Sequence, residues 1–118
     1  MSTLSGGVVL VVEDEALLLF SIADELRDLG FSVLEARNAD EALARLEAHS
    51  EIAVVFTDID MPGSMDGLAL TALVDQRWPE MKVVVTSGKK LPDRSAMPEH
   101  VQFLSKPYGI DQVARAIS

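Results

Sequence analysis

Short apolar runs alternate with amphipathic segments along this chain, and this alternation limits the possible folds more than any other feature of the sequence. Three runs are predominantly apolar and rich in β-branched residues, as strands buried on both faces are; they cover residues 8–12, 53–57 and 81–86. Residues 31–36 alternate apolar and polar side chains, which is typical of an edge strand, and residues 101–104 form a shorter run. The sequence therefore predicts five strands.

Four other segments carry apolar residues at helical spacing, namely residues 19–29, 38–46, 66–78 and 110–117. Gly30 is placed to end the first helix, and Asn38 followed by Glu41 is typical of the start of the second. Asp66 can cap the third helix, which has to end before Pro79 because proline does not continue a helix. Strands and helices thus alternate along the chain.

This alternation predicts an α/β protein in which a parallel sheet is covered by helices on both faces. Right-handed crossover connections narrow the architecture to a doubly wound sheet. The chain has 118 residues, the size of one domain, so we expect residues 1–118 to form a single unit. Ligands of such sheets bind beyond the carboxyl ends of the strands.

Charge and composition exclude several classes of function. Nineteen acidic residues against ten basic ones give a net charge of -9, which disfavours sequence-independent binding to nucleic acid or to an anionic membrane. The chain has no cysteine, which excludes disulfides, thiolate metal sites and cysteine nucleophiles. The longest aliphatic run is too short to cross a bilayer, and no basic residue precedes it as in a signal peptide. We expect a cytoplasmic protein without a nucleic acid or membrane partner.

Polar residues stand where the predicted strands end. Those able to do chemistry are Glu13, Asp14, Asp58, Asp60, Ser87 and Lys106. Because the carboxyl ends of parallel strands meet at one edge of the sheet, we expect these side chains to share a pocket. Clustered carboxylates repel each other by about 4 kcal/mol per pair at ~4 Å and an effective dielectric constant near 20, so a cation or a proton has to neutralise them.

The chemistry of this set points to phosphoryl groups. Oxygen ligands without histidine or thiolate favour a hard cation, Mg²⁺ first, and such a cation usually meets a phosphoryl group. The lysine and the hydroxyl suit the remaining phosphoryl oxygens, and an aspartate can act as the nucleophile. The sequence therefore predicts an aspartyl-phosphate site assisted by magnesium.

At these residues the sequence resembles the receiver domain of two-component response regulators, over essentially the whole chain. The matching motifs are Glu13-Asp14-Glu15, Asp58-Ile59-Asp60-Met61-Pro62 with Met65-Asp66-Gly67, Thr86-Ser87-Gly88, and Phe103-Leu104-Ser105-Lys106-Pro107. Any one of them is a weak signal, whereas four in order, each at a strand end, are specific. The resemblance implies a flavodoxin-like fold of five parallel strands in the order 2-1-3-4-5.

The resemblance also implies a role for each carboxylate. Asp58 would accept the phosphoryl group from a phosphohistidine of a sensor histidine kinase or histidine phosphotransfer protein. Asp14 and Asp58 would bind Mg²⁺ directly, Glu13 mostly through water, and Asp60 through its backbone carbonyl. The protein would then signal, as a stand-alone regulator, relay or sink, through a conformational change and an output partner that the sequence does not identify.

Three further positions carry implied roles. Ser87 would hydrogen-bond the phosphoryl group, and Lys106 would pair with it. Phe103 would occupy the aromatic switch position, moving inward when Ser87 engages the phosphate. Pro107 would follow a cis peptide bond.

Local alternatives exist for several of these residues. Glu13 and Asp14 could simply cap the following helix. Thr86 competes with Ser87 for the hydroxyl role, although counting along the strand places Ser87 at its end. Phe103 could be an ordinary core aromatic residue.

Two other functions are compatible with parts of the sequence. The segment from Thr57 to Asp60 looks like the Asp-x-Asp motif of haloacid dehalogenase-type phosphatases, but that motif belongs on an early strand and here it lies mid-chain. A degenerate receiver that only binds partners is the other alternative, against which the intact acidic pair, Asp58, Ser87 and Lys106 argue.

The sequence departs from the family pattern in two loops. The loop after Asp58 is one residue longer than the commonest form. Residues 89–100 contain few apolar side chains and two prolines, Pro92 and Pro98, so the fourth helix of the family is expected to be missing or reduced to about one turn. This segment, together with the last strand and the last helix, is also the expected output surface. The loop and the Lys-Pro-Tyr ending resemble a single-domain subgroup of the family.

Overall fold

The computed structural model describes residues 7–59, 67–88 and 101–118, which form strands and helices in strict alternation except where β4 precedes β5. The strands are β1 (Val8–Val12), β2 (Ser32–Ala36), β3 (Ile52–Asp58), β4 (Lys82–Ser87) and β5 (Gln102–Ser105). The helices are α1 (Ala16–Asp28), α2 (Ala39–Ala48), α3 (Gly67–Arg77) and α4 (Ile110–Ile117). Every predicted strand lies within one residue of its observed bounds.

The five strands form one parallel sheet in the order β2-β1-β3-β4-β5. The predicted doubly wound α/β fold and its strand order are thus confirmed. The alternating strand β2 lies at the edge, as predicted, and the predominantly apolar strands β1, β3 and β4 lie inside. Since all strands run in one direction, the residues that follow them lie along a single edge of the sheet.

Helices cover the two faces of the sheet and divide the core into two clusters. On one face, Val55 and Val85 pack with α2 and α3. On the other face, Phe56 and Val84 pack with α1 and α4. Because successive strand residues point to opposite faces, neighbouring residues at the end of β4 reach different helices.

Local sequence signals set the ends of the first two helices. After α1, Gly30 has a φ of 99°, a conformation that favours glycine, and donates its N–H to the carbonyl of Arg27 at 3.0 Å. The N–H of Phe31 bonds the carbonyl of Leu26 at 3.0 Å, which completes a Schellman motif. At the start of α2, the Asn38 side chain accepts the N–H of Glu41 at 2.8 Å, as predicted.

We expect Asn38→Ala to lower the free energy of unfolding by about 1 kcal/mol, because the Glu41 N–H loses its capping acceptor. Urea denaturation followed by circular dichroism measures this. Asn38→Asp keeps an acceptor at the same position and should retain most of the stability. Equal losses in the two variants would show that the cap does not stabilise α2.

Several predictions fall outside the described residues. These are the Asp66 cap of α3, the long loop after Asp58, and the missing or one-turn fourth helix within residues 89–100. Across the three described ranges, no helix has the length and apolar character needed to span a membrane.

Candidate functional site

The carboxyl edge of the sheet brings the predicted site residues together. Glu13 directly follows β1, Asp58 ends β3, Ser87 ends β4, and Lys106 directly follows β5. Asp58 pairs with Thr86 in the register between β3 and β4, so the ends of these strands are level. Asp60, whose backbone carbonyl is an expected metal ligand, lies outside the described residues.

Three carboxylates form an acidic cluster at this edge. Glu13, Asp14 and Asp58 each place an oxygen within 4.8 Å of the others. Glu13 and Asp58 are almost fully buried, with 3% and 4% of their surface exposed, and Asp14 is more accessible. Burying charges of one sign so close together needs a compensating cation or proton.

Lys106 supplies one positive charge to the cluster. Its Nζ lies 2.9 Å from Asp58 Oδ2 and 3.6 Å from Glu13 Oε1. The backbone holds this lysine in place, because its N–H donates to the carbonyl of Ser87 at 2.9 Å. The following bond, Lys106–Pro107, is cis, as expected from the resemblance. A lysine 48 residues away from Asp58 in sequence is therefore its direct ion-pair partner.

The charge of Glu13 depends on its surroundings. Burial raises the pKa of Glu13 to about 7, and the negative charge of Asp58 adds to the increase. The hydrogen bond from the backbone N–H of Glu15 and the positive charge of Lys106 oppose it. Without a metal, Glu13 thus titrates near neutral pH. This is expected of a buried carboxylate whose negative charge is not fully compensated by nearby positive charge.

Lys106 stays protonated. Burial by itself would lower the pKa of Lys106, but the hydrogen bond to Asp58 and the negative charges of Glu13 and Asp58 outweigh burial and raise it. The site therefore keeps a permanent ammonium group beside Asp58.

Helix capping does not explain the acidic pair after β1. The residue at the N-cap of α1 is Glu15, and its side chain makes no cap hydrogen bond. Glu13 Oε2 accepts the N–H of Glu15 at 3.1 Å, which precedes the first turn, and its other oxygen faces Lys106. Glu13 thus orders the loop while directing a carboxylate oxygen into the cluster.

The two hydroxyls at the end of β4 face different helices. Ser87 shares a sheet face with Val85 and with the cluster under α2 and α3, whereas Thr86 shares the opposite face with Val84. Both are buried, with 1% of their surface exposed. Ser87 ends the strand, as the sequence count predicted.

Phe103 lies on the same face as Ser87. It pairs with Val85 in the register between β4 and β5 and packs, half-buried, against the α2 and α3 cluster. This position is compatible with both sequence interpretations, a core aromatic and a switch, because it combines core contacts with closeness to the end of β4.

Tyr108 is a site neighbour that sequence reasoning missed. Its ring packs edge-on against Phe56, with centroids 5.8 Å apart and planes at 85°. Burial raises the pKa of Tyr108 to about 12; the positive charge of Lys106 opposes this increase, and the negative charges of Glu13 and Asp58 add to it. Tyr108 and Lys106 line the same cavity. The only sequence signal was its position two residues after Lys106.

The donor set of the acidic cluster fits a hard divalent cation. All three side chains offer carboxylate oxygens, and among the described residues no histidine joins them. Oxygen-only ligands at this spacing match Mg²⁺ or Ca²⁺ rather than a transition metal. A divalent ion would also supply the positive charge that Lys106 alone does not.

Sequence comparison identifies the family. The family model of the response regulator receiver domain matches residues 9–118. The DNA-binding transcriptional regulator NtrC of Salmonella typhimurium is 34% identical over 95% of this chain and 25% of its own length. The nitrogen assimilation regulatory protein NtrX of Azorhizobium caulinodans is 33% identical over 89% of this chain and 24% of its own. The chain thus spans about a quarter of these curated relatives.

Solved structures agree with the sequence comparison. A response regulator receiver protein from Sinorhizobium medicae has a TM-score of 0.87 and 28% identity, covering 98% of this chain and 94% of its own. The receiver domain of NtrX from Brucella abortus has a TM-score of 0.78 and 33% identity, covering 92% of this chain and 96% of its own. These matches leave no support for the dehalogenase-type phosphatase alternative.

Proposed function

This chain belongs to the response regulator receiver domain family of two-component signalling, and we propose that its phosphoacceptor is Asp58, loaded from a phosphohistidine. The observation that carries the assignment is the buried Asp58 carboxylate, 2.9 Å from Lys106 Nζ and within 4.8 Å of two further carboxylates. Among the described carboxylates of this cluster, Asp58 alone ends a central strand, opposite the acidic pair after β1. Its carboxylate is therefore placed to contact a phosphoryl group that enters at the carboxyl edge of the sheet.

The transfer step follows from these positions. A carboxylate oxygen of Asp58 attacks the phosphorus, forming an O–P bond, while the N–P bond of the phosphohistidine breaks and its electron pair returns to the imidazole nitrogen. Lys106 balances the negative charge that moves onto Asp58 and its phosphoryl group. In the proposed hydrolysis of this state, a water oxygen attacks the phosphorus and loses a proton, the O–P bond to Asp58 breaks, and the Asp58 carboxylate is regenerated as inorganic phosphate leaves.

We propose Mg²⁺ as the cofactor, held by Asp14 and Asp58 directly and by Glu13 mostly through water. When bound, Mg²⁺ would neutralise charge on the phosphoryl oxygens and on the carboxylates. Glu13 would contribute the oxygen that faces Lys106, which a bound cation would favour in its ionised form, and Asp14 would contribute the most accessible carboxylate. The proposal is supported by the all-oxygen donor set and by the raised pKa of Glu13, which burial without sufficient positive charge explains.

Ser87 and Phe103 are proposed to read the phosphorylated state. Ser87 would hydrogen-bond a phosphoryl oxygen, and Phe103, on the same face of the sheet, would move inward behind it. The proposed phosphodonor is a sensor histidine kinase or a histidine phosphotransfer protein, and the output is a partner protein. The net charge of -9 argues against direct contact of this domain with nucleic acid, although its relative NtrC binds DNA.

Mass spectrometry tests the proposal. Incubation with acetyl phosphate and Mg²⁺ should add one phosphoryl group to the chain, and borohydride trapping followed by peptide mapping should place it on Asp58. The absence of any mass increase with acetyl phosphate and with a phosphorylated histidine donor would favour the degenerate, binding-only receiver instead.

Millimolar Mg²⁺ is expected to raise the melting temperature, because the ion binds the folded cluster and not the unfolded chain. Asp14→Asn should remove most of this effect by deleting a proposed direct ligand. Differential scanning fluorimetry with and without Mg²⁺ measures it. Asp28→Asn, which removes one charge from the exposed end of α1, is the matched control and should keep the wild-type response. If Mg²⁺ raises the melting temperature of Asp14→Asn as much as that of the wild type, the metal binds elsewhere.

A further inference from the structure

The hydroxyl of Tyr108 is buried without a hydrogen-bond partner. Among the described residues it is the one buried side-chain polar atom in this condition. Tyrosine hydroxyls usually find a partner when they are buried, because an unsatisfied group loses its bonds to water without replacement. An orphaned hydroxyl beside a reaction site therefore points to a second arrangement in which the bond is made.

Thr86 is the side chain placed to make that bond. Thr86 and Phe56 point to the same face of the sheet, and the Tyr108 ring packs on Phe56. The Thr86 hydroxyl is near enough to lower the pKa of Tyr108, although the two hydroxyls do not reach hydrogen-bond geometry. A small displacement of either residue would allow the two hydroxyls to form a hydrogen bond.

The surroundings of Tyr108 leave space for such a displacement. Its ring borders a cavity of about 440 Å³ that is also lined by Leu18, Gly88, Lys106 and Pro107. This cavity lies between the start of α1 and the segment after β5. On that side, Tyr108 can therefore shift without displacing a packed side chain of the described residues.

The end of β4 connects Thr86 to the reaction site. The carbonyl of Thr86 accepts the N–H of Ile59, directly after Asp58, at 3.0 Å, and the carbonyl of Ser87 accepts the N–H of Lys106 at 2.9 Å. A movement of Ser87 towards a phosphoryl group on Asp58 thus also displaces Thr86, its immediate neighbour, on the opposite face. The two hydroxyls of β4 move together because one backbone carries both.

We propose that Tyr108 is a positioning residue for the phosphoryl group: its hydroxyl bonds the Thr86 hydroxyl when β4 adopts the position in which Ser87 reaches the group on Asp58. This inference rests on the proposed function of Asp58. The bond stabilises the phosphoryl-bound position of β4 and not the resting one. Because α4 begins directly after Tyr108 and Gly109, the bond also carries the phosphorylated state to the face covered by α1 and α4.

Tyr108→Phe should weaken binding of a phosphoryl mimic, beryllium trifluoride with Mg²⁺, by about two- to tenfold, the value of one net hydrogen bond. The resting protein should melt no lower than the wild type, because the variant removes an unsatisfied hydroxyl and keeps the ring. Titration of the mimic by intrinsic fluorescence or calorimetry gives the affinity, and thermal melts without mimic give the resting stability. A purely structural residue would change the two readouts together.

Thr86 provides the matched variants. Thr86→Val should weaken binding of the mimic to the same extent as Tyr108→Phe. The double variant should bind it no more weakly than either single variant. Thr86→Ser, which keeps the hydroxyl, should retain the wild-type affinity. If both single variants bind the mimic as tightly as the wild type does, the inference is wrong and the function of Asp58 stands. A resting protein destabilised by Tyr108→Phe would likewise overturn it, since the bond would already exist. Failure of the wild type to bind the mimic would overturn the proposed function and the inference with it.

Discussion

Replacing Asp58 by asparagine is expected to abolish phosphoryl incorporation from acetyl phosphate while the chain stays folded. The variant removes the proposed nucleophile and changes little else in shape. It also removes the ion pair with Lys106, but it relieves repulsion within the acidic cluster. Lys106 still has Glu13 as an ion-pair partner, at 3.6 Å. Without metal, the variant should therefore melt no lower than the wild type.

Intact-mass measurement and thermal melts provide the two readouts for this variant. Asp28→Asn removes the same charge far from the site and should be phosphorylated like the wild type. Unchanged incorporation in Asp58→Asn would place the phosphoryl group on another residue. A markedly lower melting temperature without metal would show that the ion pair with Lys106 outweighs the repulsion.

Metal-free protein is expected to lose stability as the pH rises from about 4.5 to about 7, by at most about 3 kcal/mol from Glu13 alone. The pKa of Glu13 is about 7 when folded, against its ordinary value of 4.5. In this window the folded state therefore holds a proton at Glu13 that the unfolded state has released. The free energy of unfolding consequently falls with increasing pH, and the contribution is complete above the folded pKa.

Urea denaturation at several pH values, in the presence of a chelator, measures this dependence. Glu13→Gln carries no titrating group and should flatten the difference between pH 4.5 and pH 7. Saturating Mg²⁺ should flatten it in the wild type as well, because the bound cation favours the ionised carboxylate. If Glu13→Gln keeps the full wild-type pH dependence, Glu13 is not the group that titrates.

For the residues that the structure describes, the sequence alone was sufficient to assign the strands and helices and their order. Continuous valine-rich runs were assigned to internal strands and the alternating run to the edge, and the sheet has this arrangement. Asn38 and Gly30 marked helix ends correctly because capping depends on hydrogen bonds and backbone angles within a few residues. Such signals are local, so they can be read without knowing what packs against them.

The location of the candidate site was also predictable. In a parallel sheet, residues that follow different strands reach the same edge, so Glu13, Asp14 and Asp58 were expected to meet, and they do. The family motifs strengthened this expectation. The roles of the individual side chains remain predictions.

The tertiary structure decided the contacts that give these residues their properties. The 2.9 Å contact of Lys106 with Asp58 depends on strand register, on the bond from Lys106 to Ser87, and on the loop after β5. The pKa of Glu13 depends on how completely neighbouring elements exclude water from it. The unpartnered hydroxyl of Tyr108 depends on how the segment after β5 packs against the end of β4. The periodicity of a sequence indicates which face of a single strand or helix each side chain occupies. Distances across the sheet depend instead on the packing of the whole domain, and no local sequence pattern specifies that packing.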